Sequence, residues 1–343
     1  MSIEEMMITV KPESLQVSLN EIFAVDREAK LVRWLDEGMG LIRLRVGYEQ
    51  VITALRKRPP IFLQHVFPVC DTLTLEQSVD EDLQQILGAV QAQVALLDKS
   101  KSFSIQTRIT QPKQSRFKRF DINRVVSEWL QAEGYALDVK NPEQVVSIVV
   151  DSEQAYVGIS RTADNLSSWA GGHHRFKHEE EQISRAEFKL LEAIEAFDIQ
   201  LPSRGLALDL GASPGGWTRV LLQRGFHVFA IDPADLHPSL RKNHNCKHFK
   251  QTAQVFLPNQ AEADFDLLVN DMRMHVRESV DLMLEAADVL KPGAYAIMTL
   301  KLRKKQGLKV IEQAVSHLQK KYQVLRVKEL FHNRSEVTLL LQK

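Results

Sequence analysis

The sequence predicts an α/β protein whose C-terminal half holds a mostly parallel sheet with helices on both faces. From residue 184 onward, apolar runs typical of strands alternate with helix-like runs, an order that favours parallel strands. One apolar run, 205–208, leads through Asp209 into a glycine-rich turn and then into a helix-like run. A second run, 226–231, ends in Asp232, about 20 residues beyond the turn, where nucleotide-binding folds place an acceptor for ribose hydroxyls. We therefore predict a nucleoside-containing cofactor at the strand ends.

The composition is that of a globular protein of two or three domains. The chain has 343 residues, 44% of them hydrophobic, and its 44 basic and 44 acidic residues cancel. The net charge therefore does not decide whether a nucleic acid is a partner. The two cysteines, Cys70 and Cys246, predict neither a metal site nor a disulfide framework. Because no run is long enough for a membrane span and the N-terminus lacks the shape of a signal peptide, we expect a cytoplasmic protein. We also expect no metal ion, because no carboxylate or cysteine stands at ligand spacing beside His173, His174 and His178.

Residues 1–75 predict a small α+β module. Residues 41–46 alternate at period two, as a half-buried strand does, and 48–57 have a helical pattern. Residues 61–68 are then predicted to be extended again. Residues 76–98 predict an amphipathic helix that links this module to the next domain or packs on it.

Residues 99–183 predict a second α/β domain and a connector. Its predicted order is a strand at 103–109, a basic turn, a helix at 120–133 and two further strands. This order, with Asn141-Pro142 before a strand and the sequence at 156–158, resembles a THUMP domain, which is an RNA-binding module. The alternative is a generic α/β domain that packs on the remainder of the chain.

Basic residues are concentrated in two places. Between residues 99 and 124 there are eight basic residues and one acid, Asp121, and a second cluster begins at Lys301. A neutral protein with segregated charge can present a basic face to phosphates. The alternative is a solvated surface. We predict that the RNA-binding residues are Arg116, Lys118, Arg119, Arg303, Lys304 and Lys305.

The glycine-rich turn carries the most specific motif. It reads D-L-G-A-S-P-G-G-W-T over 209–218, which is neither G-x-G-x-x-G nor a P-loop. It resembles the S-adenosylmethionine loop of the FtsJ-like (RrmJ-like) methyltransferases. The resemblance implies S-adenosyl-L-methionine as the cofactor. The cofactor-binding residues that it implies are Asp209, Gly211, Ser213, Pro214, Gly215, Gly216, Trp217, Asp232 and Asp271.

Four charged residues of the C-terminal half lie in similar surroundings, near apolar runs. Asp271 and Lys301 follow predicted strands, and ligands of open α/β sheets bind at the carboxyl ends of strands. Glu336 reaches the same face if the last strand is antiparallel, and Lys189 lies early in a helix. The order Lys, Asp, Lys, Glu resembles the catalytic tetrad of FtsJ-like 2′-O-ribose methyltransferases.

The motifs S-R-A-E-F-K-L-L-E-A, N-D-M, L-K-L-R-K-K and L-F-H-N-R-S-E-V-T resemble the RlmM-type branch of these enzymes. The branch implies a THUMP-containing front half, a Rossmann-like methyltransferase domain at 184–343, and a ribose of large-subunit ribosomal RNA as substrate. The chain departs from the branch at 249–254, where the acidic residue common near the cofactor adenine is missing. The adenine contacts are therefore left open.

The residue types suit the removal of a proton from a ribose 2′-hydroxyl. A lysine whose pKa is lowered by burial or by a neighbouring cation can accept a proton near neutral pH. We predict Lys301 as the base and Lys189 as the cation beside it, with Asp271 and Glu336 holding the lysines and the hydroxyl. The alternatives are transfer RNA as substrate and a non-catalytic RNA-binding or assembly protein that keeps the fold. The oligomeric state stays open.

Overall fold

The computed structural model describes residues 3–75, 78–177, 179–260, 265–302 and 307–343. The chain divides into two compact units, Met1–His173 and His174–Lys343. The first unit contains two four-stranded sheets and the second contains a seven-stranded sheet. Within the described ranges, no helix is both long enough and apolar enough to cross a membrane.

The first sheet of the N-terminal unit is antiparallel, and two helices cover one of its faces. Its strands are β1 (Glu5–Thr9), β2 (Lys30–Asp36), β3 (Met39–Arg43) and β4 (His65–Val69), in the order β2-β3-β1-β4. Met6 and Ile8 share a core with helices α1 (Leu15–Phe23) and α2 (Tyr48–Lys57), whereas Met7 packs on the opposite face. This alternation follows from the period-two geometry of a strand. The helix predicted at 48–57 is confirmed.

The second sheet combines β5 (Asp71–Thr74), β6 (Phe103–Ile109), β7 (Gln144–Val150) and β8 (Gln154–Arg161). Its order is β5-β8-β7-β6, with β6 and β7 parallel and the other pairs antiparallel. Helix α4 (Arg119–Ala132) packs against β6.

Two features of this sheet differ from the predicted boundaries. Strand β5 lies inside the predicted N-terminal module, yet it pairs with β8 of the second sheet. Helix α3 (Val79–Ala92), predicted as a linker or as a packing helix, buries Leu83 and Ile86 in the same core as Val126 of α4. Helix α3 therefore packs against the second sheet and is part of the same domain. Its bounds are shorter than the predicted 76–98, because a capping box between Ser78 and Glu81 starts the helix.

Arg116, predicted to bind RNA, has a structural contact in this core. Its guanidinium forms an ion pair with Asp82, whose side chain is fully buried in α3, and donates to the carbonyl of Leu75 at 3.0 Å. It also lies over the ring of Phe117 at 5.0 Å from the centroid. A buried carboxylate is costly unless it is paired. Arg116 therefore compensates Asp82, and its predicted role in RNA binding stays a prediction. Arg116, Lys118 and Arg119 are all exposed, as a role in RNA binding requires.

We expect Arg116→Met to lower the free energy of unfolding by about 1–3 kcal/mol, because the Asp82 carboxylate would lose its guanidinium partner while staying buried. Chemical denaturation followed by circular dichroism measures the change. Lys118→Met and Arg119→Met are the matched controls on the same turn, and we expect each to change stability by less than about 0.5 kcal/mol. Equal effects of all three variants would contradict a special role for Arg116.

The C-terminal unit is a mostly parallel sheet of seven strands, as predicted. The strands are β9 (Gly205–Leu210), β10 (Phe226–Ile231), β11 (Cys246–Phe249), β12 (Phe265–Asn270), β13 (Leu290–Lys301), β14 (Gln323–Lys328) and β15 (Glu336–Gln342). Their order is β11-β10-β9-β12-β13-β15-β14. Strand β15 runs antiparallel to β13, with Lys301 paired opposite Glu336. The antiparallel last strand that Glu336 requires is therefore confirmed.

Helices cover both faces of this sheet. They are α5 (Glu187–Ala196), α6 (Gly216–Gln223), α7 (Pro238–Arg241), α8 (Ala253–Phe256), α9 (Val276–Ala286) and α10 (Leu308–Leu318). Leu267 and Val269 of β12 pack in one core with α5 and α6. Asn270, on the other face of β12, lies against Met283 of α9.

The strand order fixes where a ligand can bind. The chain runs from β9 to one side of the sheet and then returns to β12 on the other side of β9. Ligands of open α/β sheets occupy the crevice at such a switch point, beyond the carboxyl ends of the strands. The turn after β9 and Asp271 after β12 both lie at this edge.

Candidate active site

The turn after β9 is pressed closely against other parts of its own domain. Gly211 has φ +74°, and a Cβ added there would lie 2.0 Å from Cγ of Met272, in the segment after β12. Gly215 has φ +114°, and its added Cβ would lie 2.1 Å from Leu240 in α7. Both positions therefore require glycine for backbone conformation and close approach. A side chain at Gly215 would clash with Leu240, so a substitution there would disturb the packing of the domain as well as any bound cofactor.

Asp232, at the end of β10, ties this turn to the neighbouring strand. Its Oδ2 accepts from the backbone N–H of Ser213 at 3.0 Å, and its Oδ1 accepts from the N–H of Ala234 at 2.8 Å. The hydroxyl of Ser213 donates to the carbonyl of Asp235 at 3.0 Å. A carboxylate accepts about four hydrogen bonds, so Asp232 keeps acceptor capacity for ligand hydroxyls. Pro214, the next residue of the turn, is exposed.

Asp209, the penultimate residue of β9, is a buried acid. Its Oδ2 accepts from the hydroxyl of Thr218 at 2.6 Å. Burial raises the pKa of Asp209 to about 7 against the lowering effect of that bond, and the nearby carboxylates of Asp271 and Asp232 raise it further. Three acidic groups therefore surround the turn from the ends of β9, β10 and β12.

Trp217, predicted to contact the cofactor, has a packing role for its side chain. The indole is 4% exposed and belongs to the core of the C-terminal sheet. Its Nε1 donates to the carbonyl of Ala186 at 2.8 Å, next to the start of α5. Gly216 serves the same contact between helices, because its added Cβ would lie 2.3 Å from Oγ of Ser184. Gly216 and Trp217 of the motif thus allow α6 to pack closely against the start of α5.

The four predicted catalytic residues meet in one cluster of charges. Lys189 Nζ lies 3.1 Å from Asp271 Oδ2 and 2.7 Å from Glu336 Oε1. Lys301 Nζ lies 2.5 Å from Asp271 Oδ1 and 3.4 Å from Glu336 Oε2. Each lysine therefore contacts both carboxylates. We call Lys189, Asp271, Lys301 and Glu336 the charge cluster.

Burial and ion pairing shift the pKa values of the charge cluster in opposite directions. Burial acts to raise the pKa of Asp271 and of Glu336, but the ammonium groups of Lys301 and Lys189 outweigh it, and both values lie below the usual range. Burial acts to lower the pKa of Lys189, and the Asp271 and Glu336 carboxylates outweigh it, so the value lies above the usual range. The predicted role of Lys189 as the cation beside the base stays a prediction. Its charge is balanced by the same carboxylates that hold Lys301.

Two residues that the sequence analysis missed position the cluster. Thr299 of β13 is buried and donates to Asp271 Oδ1 at 2.7 Å. Glu192, one turn after Lys189 in α5, is also buried and accepts from the backbone N–H groups of Phe331 and His332 at 2.6 and 2.8 Å. Thr299 lies inside an apolar run, so nothing in the surrounding sequence indicates a role at the site. Glu192 belongs to the S-R-A-E-F-K-L-L-E-A motif, which could have indicated it.

Glu187 fixes the start of α5. Its Oε1 accepts from the backbone N–H groups of Ile183 and Ser184 at 2.7 and 3.2 Å. Its Oε2 accepts from Arg219 Nη1 at 2.7 Å, which joins α5 to α6. The helix that carries Lys189 is therefore held at its first turn and, through Glu192, at its middle.

The charge cluster forms the floor of a cavity of about 620 Å³, a size typical of small-molecule sites. Among the described residues, its lining includes Arg185, Arg273 and Arg334 as well as Phe331 and His332. The predicted RNA-binding residues Arg303, Lys304 and Lys305 lie outside the described residues. No group of three or more His, Cys, Asp or Glu side chains in the described ranges is arranged to hold a metal ion.

Comparison with known proteins shows which family the C-terminal half resembles. The crevice at the switch point and the charge cluster beside it are features of a Rossmann-like methyltransferase domain. A family model described as FtsJ-like methyltransferase matches residues 182–336. This match covers 155 of the 343 residues, and it makes that part of the chain similar to the FtsJ-like methyltransferases.

Several curated proteins are similar to the chain. An uncharacterized protein of Methanocaldococcus jannaschii is 32% identical over 48% of each chain. The ribosomal RNA large subunit methyltransferase M of Laribacter hongkongensis is 33% identical over 51% of this chain and 52% of its own. The alignments thus span about half the length of these two relatives. The protein of the same name from Marinobacter nauticus is 26% identical over 89% of this chain and 88% of its own.

Among solved structures, TrmN from Thermus thermophilus is 17% identical and covers 99% of both chains, with a TM-score of 0.38.

The buried acid Asp209 predicts a pH-dependent stability. With a folded pKa of about 7 and an unfolded value of about 3.9, the native state binds more protons than the unfolded state between those values. The free energy of unfolding should therefore fall as the pH rises through this window. Asp209→Asn keeps an acceptor for Thr218 and removes the titration.

Relative to the wild type, Asp209→Asn should gain stability as the pH rises from about 4 to 7, by up to about 4 kcal/mol, and the difference should level off above that. Urea unfolding over a pH series measures it. A difference that is constant with pH would contradict the buried-acid interpretation.

Proposed function

We propose that the protein is an S-adenosyl-L-methionine-dependent RNA 2′-O-ribose methyltransferase that acts on large-subunit ribosomal RNA. The observation that carries the proposal is the charge cluster, in which two lysines and two carboxylates meet beside a glycine-rich turn. Relatives named ribosomal RNA large subunit methyltransferase M support the RNA class, including one aligned over 88% of its length. The family match of 182–336 supports methyl transfer.

The residues around the turn fit S-adenosyl-L-methionine. Asp232 is half-buried and has acceptor capacity for ribose hydroxyls, and the glycine turn lets the backbone come close to a ligand. The acids Asp209, Asp232 and Asp271 suit a ligand that carries positive charge. When bound, the cofactor would supply a methyl group on a sulfonium.

The side chains of the charge cluster can prepare a ribose hydroxyl for that transfer. The 2′-hydroxyl is a weak acid, so a base at its oxygen must take the proton as the methyl group arrives. Lys301 takes this role. Asp271 and Glu336 orient the amine and the hydroxyl, Thr299 fixes Asp271, and Lys189 balances the charge of the two carboxylates. Positioning of this kind can supply several kcal/mol of the barrier reduction.

Replacement of Lys301 tests the role of the base. Lys301→Met keeps the apolar stem and removes the amine, and we expect the single-turnover rate of methyl transfer to fall by about 10²–10⁴-fold. Cofactor and RNA affinities should change little, because the lost interaction acts in the transition state. Arginine should not restore activity, because a guanidinium is not deprotonated in this range.

Lys291→Met is the matched control for this experiment. Lys291 lies at the amino end of the same strand and pairs with Asp266 at 2.9 Å, away from the charge cluster. We expect the control to keep the wild-type rate. A Lys301→Met rate near that of the wild type would overturn the assignment of Lys301 as the base.

The cofactor proposal is tested at Asp232. Asp232→Ala removes both the bonds that hold the turn and the acceptor for ribose hydroxyls, so we expect the affinity for S-adenosylmethionine to fall by about 1–3 kcal/mol. Isothermal calorimetry measures it. Asp235→Ala is the control, because the Asp235 carboxylate pairs with Lys250 at 2.5 Å and Arg241 at 3.5 Å. Unchanged affinity in Asp232→Ala would contradict the predicted cofactor site.

The RNA species is decided by mapping ribose methylation across total RNA from cells with and without the gene. A site in large-subunit ribosomal RNA that disappears with the gene supports the proposal. A lost site in transfer RNA would move the substrate to that class, and no lost site would favour the non-catalytic alternative.

A further inference from the structure

The cavity above the charge cluster has an excess of positive charge. Its described lining contains five cationic side chains and two carboxylates. The carboxylates, Asp271 and Glu336, are both engaged by the two lysines of the cluster. The excess therefore consists of three arginines, namely Arg185, Arg273 and Arg334. We call these three residues the arginine rim.

The arginine rim is assembled from three separate parts of the chain. Arg185 precedes α5, Arg273 follows β12 and Arg334 precedes β15, and all three side chains are exposed. Within the described ranges, none of the three guanidinium groups forms an ion pair with a carboxylate. Each arginine lies within four residues of a member of the charge cluster, so the rim surrounds the position of the reacting atoms.

The chemistry of the rim indicates a ligand with several negative charges. A guanidinium presents planar N–H donors that match the oxygens of phosphate in pairs. A cationic methyl donor does not account for three arginines, since like charges repel. The rings of Phe331 and His332 line the same cavity, and aromatic rings beside cations are typical of sites for single-stranded nucleic acid.

We propose that Arg185, Arg273 and Arg334 bind the phosphates on either side of the ribose that is methylated, so that the site requires an RNA strand and not a nucleoside or a mononucleotide. This inference rests on the proposed function and adds the residues that hold the substrate backbone. The arginines bind the strand and take no part in the proton transfer.

The salt dependence of RNA binding tests the inference without any turnover. Binding of an unmodified in vitro transcript of large-subunit ribosomal RNA is measured in the absence of a methyl donor, over about 50–300 mM KCl. We compare the full-length protein with Arg185→Gln, Arg273→Gln, Arg334→Gln and the triple variant. Each lost phosphate contact should reduce the slope of log K against log salt by about 0.7, and the triple variant by about 2. At low salt, each single variant should weaken binding by about threefold to tenfold.

Arg204→Gln is the matched control. Arg204 is exposed and precedes β9, at the amino end of the parallel strands and therefore at the edge opposite the cavity. Its slope should equal that of the wild type. S-adenosylmethionine affinity should be unchanged in all variants, and in steady state the rim variants should raise KM for RNA with little change in kcat.

A second experiment distinguishes phosphate contacts from base contacts. After the methylated residue has been mapped with the wild type, oligonucleotides with a neutral methylphosphonate at either flanking linkage are used as substrates. A neutral linkage should weaken the wild type and have less effect on the rim variant that has lost the facing arginine. Equal effects on both proteins would overturn the phosphate assignment.

The failure of this inference is separable from the failure of the proposed function. If the wild type methylates an RNA ribose but the triple variant keeps its salt slope and KM, the arginine rim has no role in phosphate binding and the function stands. If the wild type transfers no methyl group to RNA, the proposed function fails, and an unchanged slope in the triple variant would reject the rim as well.

Discussion

The bonding of Asp271 to both lysines is the interaction on which the rest of the site depends. Its carboxylate contacts Lys189 from α5 and Lys301 from β13, and Thr299 fixes it from the same strand. Glu336 contacts the same two lysines from β15. Four elements of the C-terminal domain therefore converge on one half-buried set of charges. The four charges depend on one another, because removal of one member leaves a largely buried partner charge uncompensated.

The fold holds these charges by anchoring the backbone around each of them. Register pairing of β13 with β15 puts Lys301 opposite Glu336. Glu192 binds two backbone N–H groups of the loop that leads to Glu336, and Glu187 binds two at the start of α5 and receives Arg219 from α6. Side chains carried by anchored helices and strands keep their geometry better than side chains on loops. The geometry of the charge cluster thus depends on two carboxylates, Glu187 and Glu192, that are not members of it.

Sequence reasoning predicted the C-terminal sheet and the convergence of its charges because the signals for both are local in the sequence. A charged residue at the end of an apolar run is visible along the chain, and the parallel topology brings such ends together. The role of Arg116 was not predictable in this way. Its partner Asp82 lies 34 residues away in another helix, and the basic turn around Arg116 favoured a surface role. Pairing of β5 with β8 was missed for the same reason, since it joins segments more than 80 residues apart. Long-range pairing leaves no periodic signal in either partner.

The arrangement of charge in the C-terminal domain suits the two proposed ligands, which carry opposite charges. Asp209, Asp232 and Asp271 stand at the ends of three neighbouring strands, and the pKa of Asp209 is raised mainly by burial and further by the other two carboxylates. The arginine rim lines the cavity, and Asp271 lines it too. In the proposed function, the acids favour a cationic donor and the arginines favour a phosphate backbone. Asp271 belongs to both regions, since it follows β12 beside the turn and also contacts Lys189 and Lys301.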